Sequence, residues 1–162
     1  MPILSTDAIK DPSPQLQAAL HWINALIETR DVQDLESAIT DDFAIQVLPK
    51  SLGRPQLHKE EYLKYSNSFT FHVVRDFEAT IQEVVETADK VVLHASSKAT
   101  SATGFPYSNE YIIIFHLALQ PDGQYKVKYL KEFVDSQFST EFFPAERKRQ
   151  EARELAAATK SE

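Results

Sequence analysis

The feature that most constrains this chain is the stretch from Pro106 to Ser136, PYSNEYIIIFHLALQPDGQYKVKYLKEFVDS. It reads as two long strands joined at the turn signal Pro121-Asp122-Gly123. From Tyr111 to Leu119 the first strand carries β-branched and aromatic residues on both faces, so both faces must be covered. The second strand ends in two acids, Glu132 and Asp135. An ionisable group so close to an apolar strand is costly to bury unless it is paired or has a chemical task.

Upstream, the periodicity is helical. Ser13-Pro14 is an N-cap followed by proline at the first helical position. Leu16, Ala19, Leu20, Ile23, Leu26 and Ile27 then form one apolar stripe, with Trp22 at its edge. Asp31 restarts a short helix through Leu35 and Ile39, Phe43 to Leu48 reads as a short strand, and His58 to Tyr65 as a third helix. That third helix turns Tyr62, Leu63 and Tyr65 toward the core, with Leu57 just before it. The period then shifts toward 2, giving strands over 69–74, 77–85 and 90–100 before the opening hairpin. Gly53, Gly104 and Gly123 each fall between these elements. A charged helix follows from Pro144. Helices segregated against a run of antiparallel strands give an α+β domain. The organisation expected is a flexible N-terminal arm over 1–13, one domain over 14–143 and a charged helical tail over 144–162.

Charge and composition narrow the partners. With 17 basic against 24 acidic side chains the formal net charge is -7, which argues against a nucleic-acid surface. The basic cluster Arg147-Lys148-Arg149 is interleaved with Glu146, Glu151 and Glu154 and reads as a solvated helix face. The absence of cysteine removes thiolate nucleophiles, disulfides and Cys-ligated zinc. No apolar run approaches the roughly 18 residues of a membrane span, and the N-terminus lacks a basic region followed by an apolar one. A cytoplasmic protein with no membrane partner is expected.

The helix order, Asp89-Lys90-Val91-Val92 opening a strand, and the hairpin ending Lys131-Glu132-Phe133-Val134-Asp135 resemble the SnoaL-like branch of the nuclear-transport-factor-2-like superfamily. The resemblance covers roughly residues 14 to 143. Through Asn109-Glu110-Tyr111-Ile112-Ile113-Ile114-Phe115-His116 the chain is most similar to the small fungal SnoaL-like proteins. This likeness implies a strongly curved antiparallel sheet wrapped around N-terminal helices, a deep pocket between them, and homodimers that pair through the outer sheet face. The same fold hosts isomerases, dehydratases, cyclases and silent binders.

Within that frame Glu132 is the first candidate. Period 2 puts Leu130, Glu132 and Val134 on one strand face and Tyr129, Lys131, Phe133 and Asp135 on the other. If the hairpin pairs Ile113 with Glu132, then Tyr111, Ile113 and Phe115 surround the carboxylate and raise its pKa, making it a general acid or base near neutral pH. A one-residue slip at the turn would reverse the faces. The resemblance implies a catalytic aspartate near Asp135 in some polyketide cyclases of the family; the alternative is that Asp135 caps the following helix. Asn109 and Tyr111 share the face of Ile113, where an amide and a phenol suit a substrate carbonyl or enolate oxygen. His72, expected to begin a strand at the pocket mouth, is the best-placed histidine for a general base. Ile113, Phe115, Trp22 and Tyr65 supply apolar walls. No HExxH or compact His/carboxylate pattern is present, so no metal is expected. No phosphate loop or dinucleotide fingerprint occurs either, so no cofactor is expected. The function these features favour is proton-transfer chemistry on a small hydrophobic, oxygenated metabolite such as a polyketide or terpenoid. The alternative is a non-catalytic dimeric module that binds a ligand or another protein.

Overall fold

The computed structural model describes residues 9–160, so most of the arm assigned to 1–13 lies outside the described residues. Helix α1 (Pro14–Asn24) begins where the sequence places it, with the Ser13 hydroxyl accepting from the Leu16 N–H and Pro14 in the first turn. Its last turn continues as a wider π-helical turn, Ala25–Thr29, which ends at Arg30 in the left-handed region (φ 49°). Asp31 caps α2 (Val32–Ser37) by accepting from the Gln33 and Asp34 N–H groups. Strand β1 (Ile39–Leu48), the short strand β2 (Leu57–His58) and helix α3 (Lys59–Tyr65) follow.

The segment 69–74, read from sequence as a strand, is not one. Ser66–Thr70 extends α3 as a π-helical turn, and α4 (Phe71–Val73) completes it before β3 (Val74–Glu86) begins. Phe69, Phe71 and Val73 alternate with polar residues, a spacing that suits a short strand. Here they wind helically, burying Phe71 and Val73 and packing Phe69 on Tyr65 and Phe143 at ring distances of 5.2 and 6.2 Å. Strands β4 (Lys90–Ser101), β5 (Pro106–Leu119) and β6 (Tyr125–Val134) then run antiparallel, and helix α5 (Ser136–Thr159) ends the fold. Helix α5 passes without a break through Pro144, where sequence reading begins a separate tail.

The six strands form one sheet in the order β2-β1-β6-β5-β4-β3. All neighbours are antiparallel except β1 and β6, which are parallel. Register irregularities interrupt β3 beside β4 and β5 beside β6, and Asp76 takes a positive φ of 53° at the first of them. Such bulges sharpen the local twist, which lets a long sheet curl around a core. That core lies between the sheet and α1 to α3. Trp22 meets Phe115 edge to face at 5.5 Å, and Phe43 packs on Tyr62 at 5.1 Å. A second cluster of Val73, Val74, Tyr107 and Phe142 joins the first half of α5 to the far end of the sheet.

Candidate active site

Strand β6 puts Glu132 in the interior of the sheet rather than at its rim. The turn at Gly123 (φ 83°) closes the β5–β6 hairpin so that Ile113 lies opposite Glu132. On the other side, the parallel neighbour β1 sets Val47 opposite the same residue. The carboxylate is therefore flanked along the sheet by two aliphatic side chains, and it faces a cavity of about 460 Å³. That volume lies in the range typical of small-molecule sites.

The cavity wall is mainly apolar, with Leu26, Ile27, Ile45, Val47, Leu57 and Val134 among its members. Burial in these surroundings pushes the Glu132 carboxyl up from 4.5 to about 7, the Arg54 charge opposing the shift in part. No hydrogen bond or ion pair holds Glu132 among the described residues. Four tyrosines that also line the cavity, Tyr62, Tyr65, Tyr107 and Tyr111, have hydroxyls raised above the ordinary phenol range, chiefly by burial. The Glu132 charge adds to that rise in each of them, so all four stand within its field.

Three hydroxyls form a chain along this wall. Ser97 Oγ and the Tyr111 hydroxyl are 2.8 Å apart, and the Tyr111 and Tyr107 hydroxyls 3.0 Å. Asn109 Nδ2 donates to the Tyr107 hydroxyl at 3.3 Å. Two links among three hydroxyls consume two of their three hydrogens; with Ser97 donating to Tyr111 and Tyr111 to Tyr107, the spare O–H is that of Tyr107, on the cavity wall. Asn109 itself has nothing left to offer. Its other N–H donates to Ser139 Oγ at 3.1 Å, and its Oδ1 accepts from the Glu110 and Asp135 N–H groups at 2.9 and 3.0 Å. The amide expected to bind a substrate oxygen instead positions Tyr107 and ties the start of α5 to β5.

The structure thus brings together Glu132, Tyr111, Asn109, Trp22 and Tyr65 around one cavity. It does not bring in the other candidates. His72 is exposed on the α4 turn, because the backbone there is helical and points the ring to solvent. Asp135 caps α5, its side chain accepting from the Phe138 N–H at 3.1 Å. Ile113 and Phe115 are buried in the core, behind the wall rather than on it. Sequence reading passed over Tyr107 and Arg54. Tyr107 was accessible by the same period-2 count that picks out Asn109 and Tyr111. Arg54 sits in the loop before β2, held through its carbonyl by Gln46 Nε2 at 3.0 Å, and no periodicity marks it. Trp22 Nε1 and Ser66 Oγ are buried without a hydrogen-bond partner, although both lie beside the Tyr62 hydroxyl.

No family model matches the chain. Its fold is shared with BvnE pinacolase from Penicillium brevicompactum, at 24% identity and a TM-score of 0.67, covering 86% of this chain and 96% of that one. A ketosteroid isomerase-like protein from Erwinia carotovora atroseptica shares it at 22% identity and a TM-score of 0.59, over 82% and 99% of the two chains. In sequence the chain is 31% identical over 129 residues to Monooxygenase ptaG of Pestalotiopsis fici, spanning 76% of this chain and 81% of that relative. The chain belongs to the SnoaL-like branch of the nuclear-transport-factor-2-like superfamily. Its curved six-stranded sheet with N-terminal helices matches the cone fold of these neighbours, and Glu132 on β6 lines its cavity.

Proposed function

We propose that this SnoaL-like chain is a cofactor-independent acid/base enzyme that moves a proton on a hydrophobic, oxygenated secondary metabolite. The carrying observation is Glu132, a lone carboxylate facing an apolar cavity with its pKa raised to about 7. Such a group is ionised and protonated in comparable amounts at neutral pH, so one side chain can both take and return a proton. The O–H left over from the Ser97–Tyr111–Tyr107 chain stabilises the enolate or phenolate oxygen that forms. The pinacolase and ketosteroid isomerase-like names of two structural neighbours favour chemistry on small metabolites; the reaction and the product class are the finer part of the proposal.

The test needs no knowledge of the natural substrate. The acidic C1 protons of 2-tetralone exchange with solvent deuterium, and NMR follows the loss of their signal. The native chain should accelerate this exchange, with a rate that rises as Glu132 ionises and levels off above about pH 7. Glu132→Gln, which keeps the volume and removes the ionisable group, should lower the rate about 10²–10⁴-fold. Equal exchange in the two proteins would leave a ligand-binding module as the better description.

The name of the 31% identical relative favours a second reading, oxygenation. If the substrate is an electron-rich phenol, Glu132 removes its O–H proton and dioxygen attacks the resulting carbanion. The substrate then supplies all four electrons, yielding a quinone and water. Oxygen uptake in step with product would select this reading, and turnover unaffected by anaerobiosis would eliminate it.

A further inference from the structure

The charged side chains lining the cavity, among the described residues, are Arg30, Arg54 and Glu132. Arg30 is committed to the fold: its Nη1 donates to the Phe71 and Val74 carbonyl oxygens at 3.3 and 3.2 Å, tying the end of the α1 turn to the α4–β3 junction. Arg54 is different. It is half-buried, its guanidinium lies 5.0 Å over the Phe143 ring, and it forms no ion pair with a carboxylate among the described residues. It hydrogen-bonds the Tyr65 hydroxyl, which leaves other guanidinium N–H groups free, and its charge reaches Glu132, so it stands at the same end of the cavity as the proposed acid/base group. Arg147, on the exposed face of α5, also acts on Tyr65. In a chain of net charge -7, Arg54 is thus a cation that stands beside the cavity-lining carboxylate and that no carboxylate pairs among the described residues.

A half-buried guanidinium that lines an apolar cavity without a carboxylate partner is suited to an anion, because the planar fork bonds a carboxylate or ionised enol in two places at once. The ring of Phe143 beneath it fixes the orientation of that fork. We infer that the substrate of this cavity is an organic anion, an apolar skeleton bearing a carboxylate or an ionised enol or phenol, and that Arg54 binds its charged group. The inference rests on the acid/base reading of Glu132 only for the identity of the site. Binding of the anion does not require that Glu132 transfer a proton.

The chain's single tryptophan, Trp22, lines the cavity and reports occupancy by quenching of its emission. The probes are anthraquinone-2-carboxylate and its neutral isostere anthraquinone-2-carboxamide, titrated by fluorescence and by calorimetry. The native chain should bind the carboxylate about tenfold more tightly or better. Arg54→Gln should abolish the preference while leaving amide binding in place, which also shows that the cavity survives, and Arg54→Lys should restore part of it. Glu132→Gln should strengthen carboxylate binding by removing a negative charge, so loss of catalysis in that variant cannot be confused with loss of the anion site. A carboxylate that binds no better than the amide, or a preference untouched by Arg54→Gln, would overturn the inference and leave Arg54 as a counter-ion for Glu132 alone.

Discussion

Glu132 is the residue we propose for the proton transfer because its neighbours along the sheet are Ile113 and Val47 and its open side is the cavity. The same burial has a consequence for stability. Its carboxyl titrates near 7 in the folded chain against 4.5 in the unfolded one, so the folded state holds the proton more tightly. Stability from this group is therefore complete below about pH 4.5 and declines as pH rises through 7. Glu132→Gln, which cannot ionise, should melt higher than the native chain at about pH 8 and show no such gain near pH 4. A melting difference that is the same at both pH values would mean that the carboxyl is not desolvated. This kind of site is common where function overrides stability, since an aliphatic residue at 132 would pack the wall without the cost of a buried charge.

At the scale of elements, α5 is the cover of the cavity and Glu146 is its fastening. Glu146, read from sequence as part of a solvated helix face, is only 1% exposed, because it accepts from the Thr103 N–H at 3.0 Å, the Thr103 hydroxyl at 2.7 Å and the Ser101 hydroxyl at 3.0 Å. Arg149, one turn on, closes the cluster at 2.7 Å and lays its guanidinium 3.9 Å from the Phe105 ring. Burial alone would raise this carboxyl, but the bonds from Thr103, Arg149 and Ser101 outweigh it and hold the group down at about 2. The folded value is below the unfolded one, so this contribution is present above about pH 4.5 and is lost as pH falls toward 2. Glu146→Ala should destabilise the chain by about 1–3 kcal/mol, by leaving buried donors without an acceptor. Hydrogen exchange should rise first in residues 136–150; exchange unchanged there would show that the helix is held by its aromatic residues alone. These elements also show how far the sequence could be read. The β5–β6 hairpin was legible from Pro121-Asp122-Gly123, but its register only as the favoured of two that differ by one residue, and the pairing of Ile113 with Glu132 selects the favoured one. The turn over 66–73 was not, because alternation across five residues fits a strand and a winding turn equally well. Packing on α5, some 70 residues away in the chain, decides between them. For the same reason the acid on β6 could be found from its strand, whereas Arg54, placed by a loop, could not.

At the scale of the whole molecule, the outer sheet face remains open. Ile112 and Phe133 pair across β5 and β6 and are 42% and 49% exposed, and His116 packs on Tyr129 beside them at 5.5 Å. Helix α5 does not cover this face; its contacts run to Ser101, Thr103, Phe105 and Tyr107 instead. Lys131 lies opposite Ile114 within this patch; exposed apolar side chains grouped in this way are uncommon on a monomer, and an isologous contact between two copies is the simplest cover. The expectation is a two-fold dimer packed sheet on sheet through Ile112, Ile114, His116, Tyr129 and Phe133. Sedimentation at micromolar concentration should give twice the 18.4 kDa chain mass, and Ile114→Lys should give monomers or insoluble protein. A stable monomer of the native chain would contradict this assembly. Among the described residues no helix is long and apolar enough to cross a membrane.

The central claim is that one carboxylate facing the cavity titrates near neutrality, and it is open to direct measurement. The chain labelled with ¹³C at the glutamate side-chain carboxyl carbons gives one NMR signal that is missing in Glu132→Gln, which assigns it. Followed across pH, that signal should titrate with a midpoint near 7. A midpoint in the ordinary glutamate range near 4.5 would contradict the account, since Glu132 would then be a solvated carboxylate with no special capacity to take and return a proton.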